Sequence, residues 1–118
     1  MWAAAAHWSA MWVHCGGQRI GGLNDLEWAG GLVWANVAPR PYLAGIDPDS
    51  GEVVAIVDAR AAGEHHGGDP RAFLNGVTAL PGPGEFLLTG KGWRFLYHVR
   101  LVEGRSRKGR KGCWPGSA

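Results

Sequence analysis

From Gly16 onward, short apolar runs alternate with clusters of glycine, proline, aspartate and asparagine. Runs rich in valine, isoleucine, leucine, tryptophan and tyrosine that are bounded by such clusters predict β-strands. The predicted strands are residues 26–28, 32–37, 42–46, 52–57, 74–79, 85–89 and 95–102. The predicted turns between them include residues 30–31, 47–51, 81–84 and 90–92. This pattern predicts an all-β chain.

One antiparallel hairpin is predicted by its turn, which joins the strands 42–46 and 52–57. The connecting sequence is Asp-Pro-Asp-Ser-Gly, residues 47–51. Proline sets the φ angle that a type I turn requires, and glycine accepts the positive φ that follows. Residues 59–72 are polar, rich in glycine and without periodicity, so they are predicted to form a long connecting loop.

A weak internal repeat joins the two halves of the chain. The segment Leu23–Trp28, followed by a glycine turn and an apolar strand, recurs 51 positions later as Leu74–Ala79 with the same sequel. A period of about 40 to 50 residues built from short antiparallel strands is typical of β-propeller blades. Another antiparallel sheet or a sandwich fits the same periodicity, so the pattern alone leaves both architectures open.

The composition agrees with a folded chain rich in turns. Glycine supplies 20 and proline 7 of the 118 residues, while 46% of the residues are apolar and 19% are charged. These fractions exclude compositional disorder, and the length suits one domain of ordinary size. The longest apolar region, residues 1–15, is interrupted by polar side chains and falls short of the ~18 to 20 apolar residues of a membrane helix. We therefore expect no membrane partner.

Residues 1–15 form a separate apolar amino-terminal extension, with three tryptophans in its first twelve residues. No basic residue precedes its apolar run, so it is a poor secretory signal, and the compartment stays unassigned. A frayed helix or an extra strand is one interpretation of the extension. A start codon placed inside a longer coding region is the other.

The charge is distributed unevenly along the chain. The formal net charge is +2, but residues 1–104 contain seven basic against ten acidic residues, a net charge of −3. The remaining basic residues are Arg105, Arg107, Lys108, Arg110 and Lys111. We expect residues 104–118 to be a solvated, basic, glycine-rich tail, with attraction to anions or nucleic acid as the alternative. The mildly acidic body predicts no nucleic-acid partner.

The two cysteines, Cys15 and Cys113, lie near opposite ends of the chain. Two such cysteines have neither the spacing of a metal site nor that of a disulfide framework. They are predicted to be free thiols, with a bridge between them as the alternative. The run from Glu64 to Asp69 contains two histidines, but adjacent residues in a glycine-rich loop rarely converge on one ion, so no metal site is expected there.

Five blocks of sequence carry a resemblance to a known family. The blocks are Leu23–Trp28, Ala35–Val37, Ile46–Gly51, Leu74–Val77 and Thr89–Val99. In this order they resemble the carboxy-terminal half of the plant and bacterial type of glutaminyl-peptide cyclotransferase. Members of that family typically read Leu-Asn-Glu-Leu-Glu-Trp, Ala-Asn-Val-Trp, Ile-Asp-Pro-x-Thr-Gly, Leu-Asn-Gly-Ile-Ala and Thr-Gly-Lys-x-Trp at these places.

The resemblance implies a five-bladed β-propeller, of which residues 16–103 would form a partial propeller of about two to two and a half blades at ~40 to 50 residues per blade. The implied activity is cyclisation of an N-terminal glutamine of peptides or proteins to pyroglutamate, with release of ammonia. This family type uses no metal, and no other cofactor is implied. Its members are often exported. The alternatives are an inactive truncated propeller fragment and a non-enzymatic binding scaffold.

The resemblance also assigns two site residues. Lys91 matches the lysine of the Thr-Gly-Lys block and is the candidate catalytic residue, because a cation stabilises the negative charge that develops on the amide oxygen. Asn24 matches the asparagine of the first Leu-Asn block and is the candidate substrate-binding residue. The structural alternatives are an asparagine that caps a turn and a lysine that points into solvent.

Departures from the family pattern weaken the enzymatic interpretation. Ala38 stands where the family has a pocket tryptophan, and the family's acid–base glutamate belongs to blades that precede Gly16. Asp25 stands where the family usually has glutamate, and Glu27 is interpreted as a structural or rim carboxylate. Unpaired blade edges in an incomplete ring favour self-association or aggregation.

Overall fold

The described residues, 3–64, 69, 71–104 and 112–115, form nine strands and one short helix in this computed structural model. In chain order the elements are β1 (His14–Cys15), β2 (Gln18–Arg19), β3 (Leu23–Ala29), β4 (Leu32–Val37), β5 (Tyr42–Ile46), β6 (Val53–Asp58), α1 (Arg60–Glu64), β7 (Phe73–Ala79), β8 (Glu85–Lys91) and β9 (Tyr97–Arg100). The all-β prediction is confirmed.

The strands form three antiparallel sheets in which neighbours in space are also neighbours in sequence. Strands β1 and β2 form a small hairpin, β3-β4-β5-β6 form a four-stranded sheet, and β7-β8-β9 form a three-stranded sheet. Sequential antiparallel strands require only short turns, which the glycine and proline clusters supply. The hairpin predicted from residues 47–51 is confirmed, since β5 pairs with β6 in antiparallel register.

The segment that follows β6 differs from the prediction. Residues 59–72 were expected to be a loop throughout, yet Arg60–Glu64 form α1. The carboxylate of Asp58 accepts a hydrogen bond from the Arg60 backbone N–H at 3.0 Å. An aspartate at a helix start accepts a hydrogen bond from a free amide, and the alanines at 61 and 62 favour helix. The local sequence therefore supports one helical turn, although the segment is too short to show helical periodicity.

The main apolar core lies between the four-stranded and three-stranded sheets. Trp34 of β4 meets Phe86 of β8 edge to face, with ring centroids 5.6 Å apart. The buried members of this cluster are Trp34, Leu43, Ala59, Leu74, Val77, Phe86 and Leu88. Side chains from both sheets share this cluster, so its burial holds the two sheets together.

A second, smaller core covers the opposite face of the four-stranded sheet. Its buried residues are Ala35, Val37, Ala44 and Ile46, with Val13 and Trp114 packed against them. Because successive strand residues point to opposite faces, Trp34 and Ala35 serve different cores. Strands β4 and β5 are therefore covered on both faces, which explains why their sequences are apolar apart from Asn36.

The two ends of the described chain are joined by a disulfide between Cys15 and Cys113, so the prediction of free thiols is wrong. The sequence separation of 98 gave no spacing signal, but the fold brings Cys113 against β1, which contains Cys15. His14 donates its backbone N–H to Gly51 at 3.0 Å, which places β1 beside the β5–β6 hairpin. The bridge is thus set by tertiary packing.

Residues beside Cys113 pack on the same hairpin. The Trp114 ring stacks on the Tyr42 ring at 5.4 Å, and the Tyr42 hydroxyl donates to the Pro115 carbonyl at 3.1 Å. Cys113 is 5% exposed and Trp114 packs on Tyr42, so the expectation of a solvated tail is wrong for residues 113–115. The basic run, residues 105–111, lies outside the described residues, so the prediction for that run stays a prediction.

Of the two structural interpretations of the amino-terminal extension, the helix is absent from its described residues, 3–15, and the extra strand is present only as the two residues of β1. Residues 3–13 form neither helix nor strand, and regular pairing begins only at β1. Trp8 is 85% exposed and Trp12 is 63% exposed, while Val13 packs against the second core, so the sheets hold only the end of the extension. Among the described residues, no helix has the length and apolarity needed to cross a membrane.

Candidate functional site

The candidate residues lie where the first strands of the two larger sheets run side by side. Strand β3 leads the four-stranded sheet and β7 leads the three-stranded sheet. Each strand has a register irregularity near its start, between Leu23 and Leu26 in β3 and between Leu74 and Val77 in β7. The 51-residue repeat of the sequence therefore corresponds to two matching irregular strands that face each other.

Two carboxylates of β3 accept hydrogen bonds from backbone N–H groups on the outer edge of β7. Asp25 accepts a hydrogen bond from the Val77 backbone N–H at 3.0 Å, and Glu27 accepts one from the Ala79 N–H at 2.8 Å. Free amides at a strand edge require partners, and here side chains supply them in place of another strand. The interpretation of Glu27 as a structural carboxylate is confirmed, and Asp25 has the same function.

Asn24 lies in the irregular start of β3 and is exposed. Its Nδ2 donates to Oδ1 of Asn75, at 2.8 Å, and Asn75 occupies the matching irregular start of β7. A carboxamide has two N–H donors and one oxygen acceptor, so this bond leaves the Asn24 oxygen and one N–H for another molecule. Asn24 thus caps no turn, contrary to the structural alternative that its sequence context suggested.

A third asparagine, Asn36 of β4, is fully buried behind this pair. Its Oδ1 accepts a hydrogen bond from the Gly76 backbone N–H at 2.7 Å. Gly76 has a φ of +137°, a conformation that side-chain-bearing residues rarely adopt, and it follows Asn75 directly. Asn36 therefore fixes the irregular backbone that carries Asn75.

Lys91 is the last residue of β8 and is exposed. It lies opposite Phe73 in the β7–β8 register, and its Nζ is 6.0 Å from the centre of the Phe73 ring. Because Phe73 begins β7, Lys91 reaches the same end of the sheets as Asn75 and Asn24. We call the group Asn24, Phe73, Asn75 and Lys91 the β3–β7 edge. The structure gives no direct contact between Lys91 and Asn24.

The β3–β7 edge combines a cation, two carboxamides and an aromatic ring. The ammonium group is a point charge that stabilises a developing anion, and the carboxamides donate and accept hydrogen bonds. The carboxylates beside them, Asp25 and Glu27, are already occupied by backbone amides. The edge is therefore suited to binding and polarising an amide or peptide carbonyl.

Carboxyl groups with a shifted pKa lie away from this edge. Burial raises the pKa of Asp58, but hydrogen bonds and charge from Arg60 outweigh it, so the pKa lies below its ordinary value. Hydrogen bonds from Arg71, first from its backbone and then from its side chain, lower the pKa of Asp69. Both are surface ion pairs between neighbours in sequence, and they mark no reactive site.

No group of three metal-binding side chains occurs within the described ranges. Most of the run from Glu64 to Asp69 lies outside those ranges. Ala38, at the place of the family's tryptophan, is half-buried and donates its backbone N–H to the Gly22 carbonyl at 2.8 Å. Because its side chain is only a methyl group, it adds no aromatic surface to the β3–β7 edge.

Sequence reasoning missed Phe73 and Asn75 of the β3–β7 edge, and Asn36 behind it. Asn75 and Asn36 lay within blocks already recognised, Leu74–Val77 and Ala35–Val37, and Phe73 directly precedes the first of these. The signal for Asn75 was its position in the internal repeat, 51 residues after Asn24. Nothing in the sequence shows that Asn36 is the single buried polar residue among those the structure describes.

Comparisons with known proteins agree on one family. A family model described as glutamine cyclotransferase matches residues 4–101. A glutaminyl-peptide cyclotransferase from Arabidopsis thaliana is 29% identical over 103 residues, which cover 82% of this chain and 31% of that protein. The crystal structure of Myxococcus xanthus glutaminyl cyclase superposes with a TM-score of 0.72 and 38% identity, covering 80% of this chain and 42% of that one. The chain thus spans less than half the length of either protein.

Proposed function

The chain belongs to the glutamine cyclotransferase family, and from this membership we propose that it cyclises an N-terminal glutamine of peptides or proteins to pyroglutamate, with release of ammonia. The observation that carries the proposal is the family match over residues 4–101, joined to the position of Asn24 and Lys91 at one edge. The substrates are peptides that begin with glutamine.

The reaction defines what the β3–β7 edge has to supply. The neutral α-amine of the glutamine attacks its own side-chain amide carbon, which forms a C–N bond and moves negative charge onto the amide oxygen. The bond to the leaving nitrogen then breaks, and ammonia departs with the proton that the α-amine gave up. Stabilising the charged oxygen is the largest electrostatic demand of such acyl transfers.

Lys91 and Asn24 have different roles in this reaction. We assign Lys91 to the developing oxyanion, because its exposed ammonium lies at the end of β8 beside an aromatic ring. Asn24 binds the substrate through the oxygen and N–H that its bond to Asn75 leaves available. Asp25 and Glu27 hold the β7 backbone, so neither is assigned as the group that transfers the proton.

We also propose that the four-stranded and three-stranded sheets are adjacent blades of a β-propeller. Their leading strands lie side by side, repeat with an offset of 51 residues and carry matching irregularities. The Myxococcus neighbour, at a TM-score of 0.72, supports this arrangement. In such a ring the β3–β7 edge would face the substrate pocket.

A non-enzymatic scaffold or an inactive fragment is the second candidate. The observation in its favour is that Ala38 stands at the place of the family's tryptophan, which leaves one side of the edge without an aromatic wall. The chain also spans less than half of the proteins that it resembles. A scaffold would bind the peptide without turning it over, and an inactive fragment would neither bind it nor turn it over.

The test is ammonia release from a short peptide that begins with glutamine. The wild-type chain is expected to release ammonia faster than buffer, and Lys91→Ala to reduce kcat by about 100-fold, the size of effect seen when an oxyanion donor is lost. Arg94→Ala removes an exposed cation from the same region and serves as the matched control. Circular dichroism confirms that both variants fold. Release no faster than buffer contradicts the proposal for this chain.

A further inference from the structure

The hydrogen bond between Asn24 and Asn75 has a consequence for how the site is built. Asn24 is exposed, and an exposed carboxamide rotates freely about a broad terminal torsion angle. The 2.8 Å bond to Oδ1 of Asn75 restricts that rotation. The bond also decides which of the hydrogen-bonding atoms of Asn24 remain available to a ligand.

Asn75 can restrict Asn24 only because its own backbone is fixed. The next residue, Gly76, donates its N–H to the fully buried Asn36 at 2.7 Å, and Val77 donates its N–H to Asp25 at 3.0 Å. A Cβ at Gly76 would come within 2.8 Å of the Thr89 methyl group, so the backbone here lies tightly against β8. Two consecutive amides after Asn75 are therefore anchored by side chains of the neighbouring sheet.

We propose that Asn75 is a positioning residue that holds the Asn24 carboxamide in its substrate-binding orientation. This inference rests on the proposed function and extends it to a residue that does not itself contact the substrate. An orientation set before binding spares the complex the entropic cost of ordering the side chain. Loss of the Asn75 acceptor therefore weakens substrate binding through Asn24 and leaves the chemical step nearly unchanged.

The kinetic test compares variants that keep or remove the acceptor. Asn75→Leu removes the oxygen with similar volume, Asn75→Ala removes it without added bulk, and Asn75→Asp keeps an oxygen at the same place. The leucine and alanine variants are expected to raise KM for a Gln-initiated peptide about three- to tenfold, the value of one hydrogen bond, with kcat within about twofold. The aspartate variant is expected to restore most of the loss.

A double-mutant cycle shows whether Asn75 acts through Asn24. In an Asn24→Ala background, Asn75→Ala is expected to raise KM no further, because the group that it positions is gone. An equal rise in both backgrounds overturns the inference, since Asn75 would then act on the substrate directly or through the fold. A KM unchanged by Asn75→Ala in the wild-type background overturns it as well.

A spectroscopic measurement separates this inference from the proposed function. The side-chain amide signals of Asn24 in ¹⁵N NMR are expected to shift toward free-amide positions in Asn75→Ala and to stay near wild-type positions in Asn75→Asp. If the wild-type chain releases no ammonia, the proposed function fails, and these signals still show whether Asn75 orders Asn24. Signals that are unmoved by Asn75→Ala overturn the positioning role whatever the activity.

Discussion

The carboxylate of Glu27 accepts a hydrogen bond from the backbone N–H of Ala79 at 2.8 Å, across the boundary between two sheets. Asp25 makes the equivalent bond to Val77, two residues earlier on each strand. The spacing of two matches the alternation of a β-strand, so both carboxylates point to the same side of β3. The sheets are therefore joined by side chains that replace a strand pairing.

Loss of the Glu27 carboxylate is expected to destabilise the chain. Glu27→Ala leaves the Ala79 N–H without its acceptor, and an unpaired, partly buried amide costs about 1 to 3 kcal/mol. Glu27→Gln keeps an oxygen at the same reach and is expected to lose less. Urea unfolding followed by tryptophan fluorescence measures both changes.

The control for this prediction is Glu103→Ala, which removes an exposed carboxylate beyond β9. It is expected to leave the free energy of unfolding within about 0.5 kcal/mol of the wild type, as most surface substitutions do. A Glu27→Ala variant as stable as the Glu103→Ala variant would show that solvent replaces the bond across the sheets at no cost.

Strands with continuous apolar sequence were predictable to the residue. Strands β4 and β5 begin and end where their apolar runs do, because burial on both faces leaves no alternation to misread. Strand β3 was predicted to begin at Leu26 and begins at Leu23, since Asn24 and Asp25 are polar and lie in an irregular register. Their hydrogen-bond partners lie on another sheet, and the sequence around Asn24 and Asp25 gives no sign of them.

The family and the strand content were therefore within reach of the sequence, while the contacts across sheets were not. The repeat placed Asn24 and Asn75 at equivalent positions, but equivalence does not predict contact. The pairing of Cys15 with Cys113 depends on how β1 packs against the hairpin. The catalytic role of Lys91 stays a prediction.

Opening the bridge between Cys15 and Cys113 is expected to lower stability substantially. It closes a loop with a sequence separation of 98 residues, and removal of a native disulfide costs about 2 to 5 kcal/mol. Dithiothreitol should lower the thermal midpoint of the wild type, and Cys113→Ser should lower it by a similar amount. Calorimetry with and without reductant measures both.

The control for the bridge is the Cys113→Ser variant, measured with and without reductant. Reductant is expected to leave its midpoint unchanged, because no disulfide remains among the described cysteines. A wild-type midpoint that does not move under reductant would mean that the packing of Trp114 on Tyr42 holds this end of the chain without help from the bridge.

Gly76→Ala is expected to destabilise the start of β7. The φ of +137° is strained for alanine, and the new Cβ would lie 2.8 Å from the Thr89 methyl group. Such backbone strain costs about 1 to 3 kcal/mol. Gly21→Ala, where a Cβ meets nothing within 4 Å, is the matched control and should lie within about 0.5 kcal/mol of the wild type. Equal stability of the two variants would contradict the prediction.

The ion pair between Asp58 and Arg60 is expected to give a small pH dependence. Because folding lowers the pKa of Asp58, its contribution is present above the unfolded pKa of about 3.9 and is lost as the pH falls through the lower folded value. Asp58→Asn should therefore reduce the free energy of unfolding by about 0 to 1 kcal/mol at pH 7 and by nothing near pH 2. Asp49→Asn controls for the lost charge, and a difference between Asp58→Asn and wild type that persists at pH 2 would contradict the assignment.

Self-association through exposed strand edges is the remaining prediction. Strands β6 and β9 are the outermost strands of their sheets, and Val54 of β6 is 57% exposed. An apolar outer strand is a template for pairing with another chain, and a lysine on such an edge opposes it. Sedimentation velocity should show a mass that rises with concentration in the wild type and less so in Val54→Lys. Ser9→Lys, which adds the same single charge at an exposed position outside any strand, separates a specific edge effect from the added charge. A monomer at every concentration would refute the prediction.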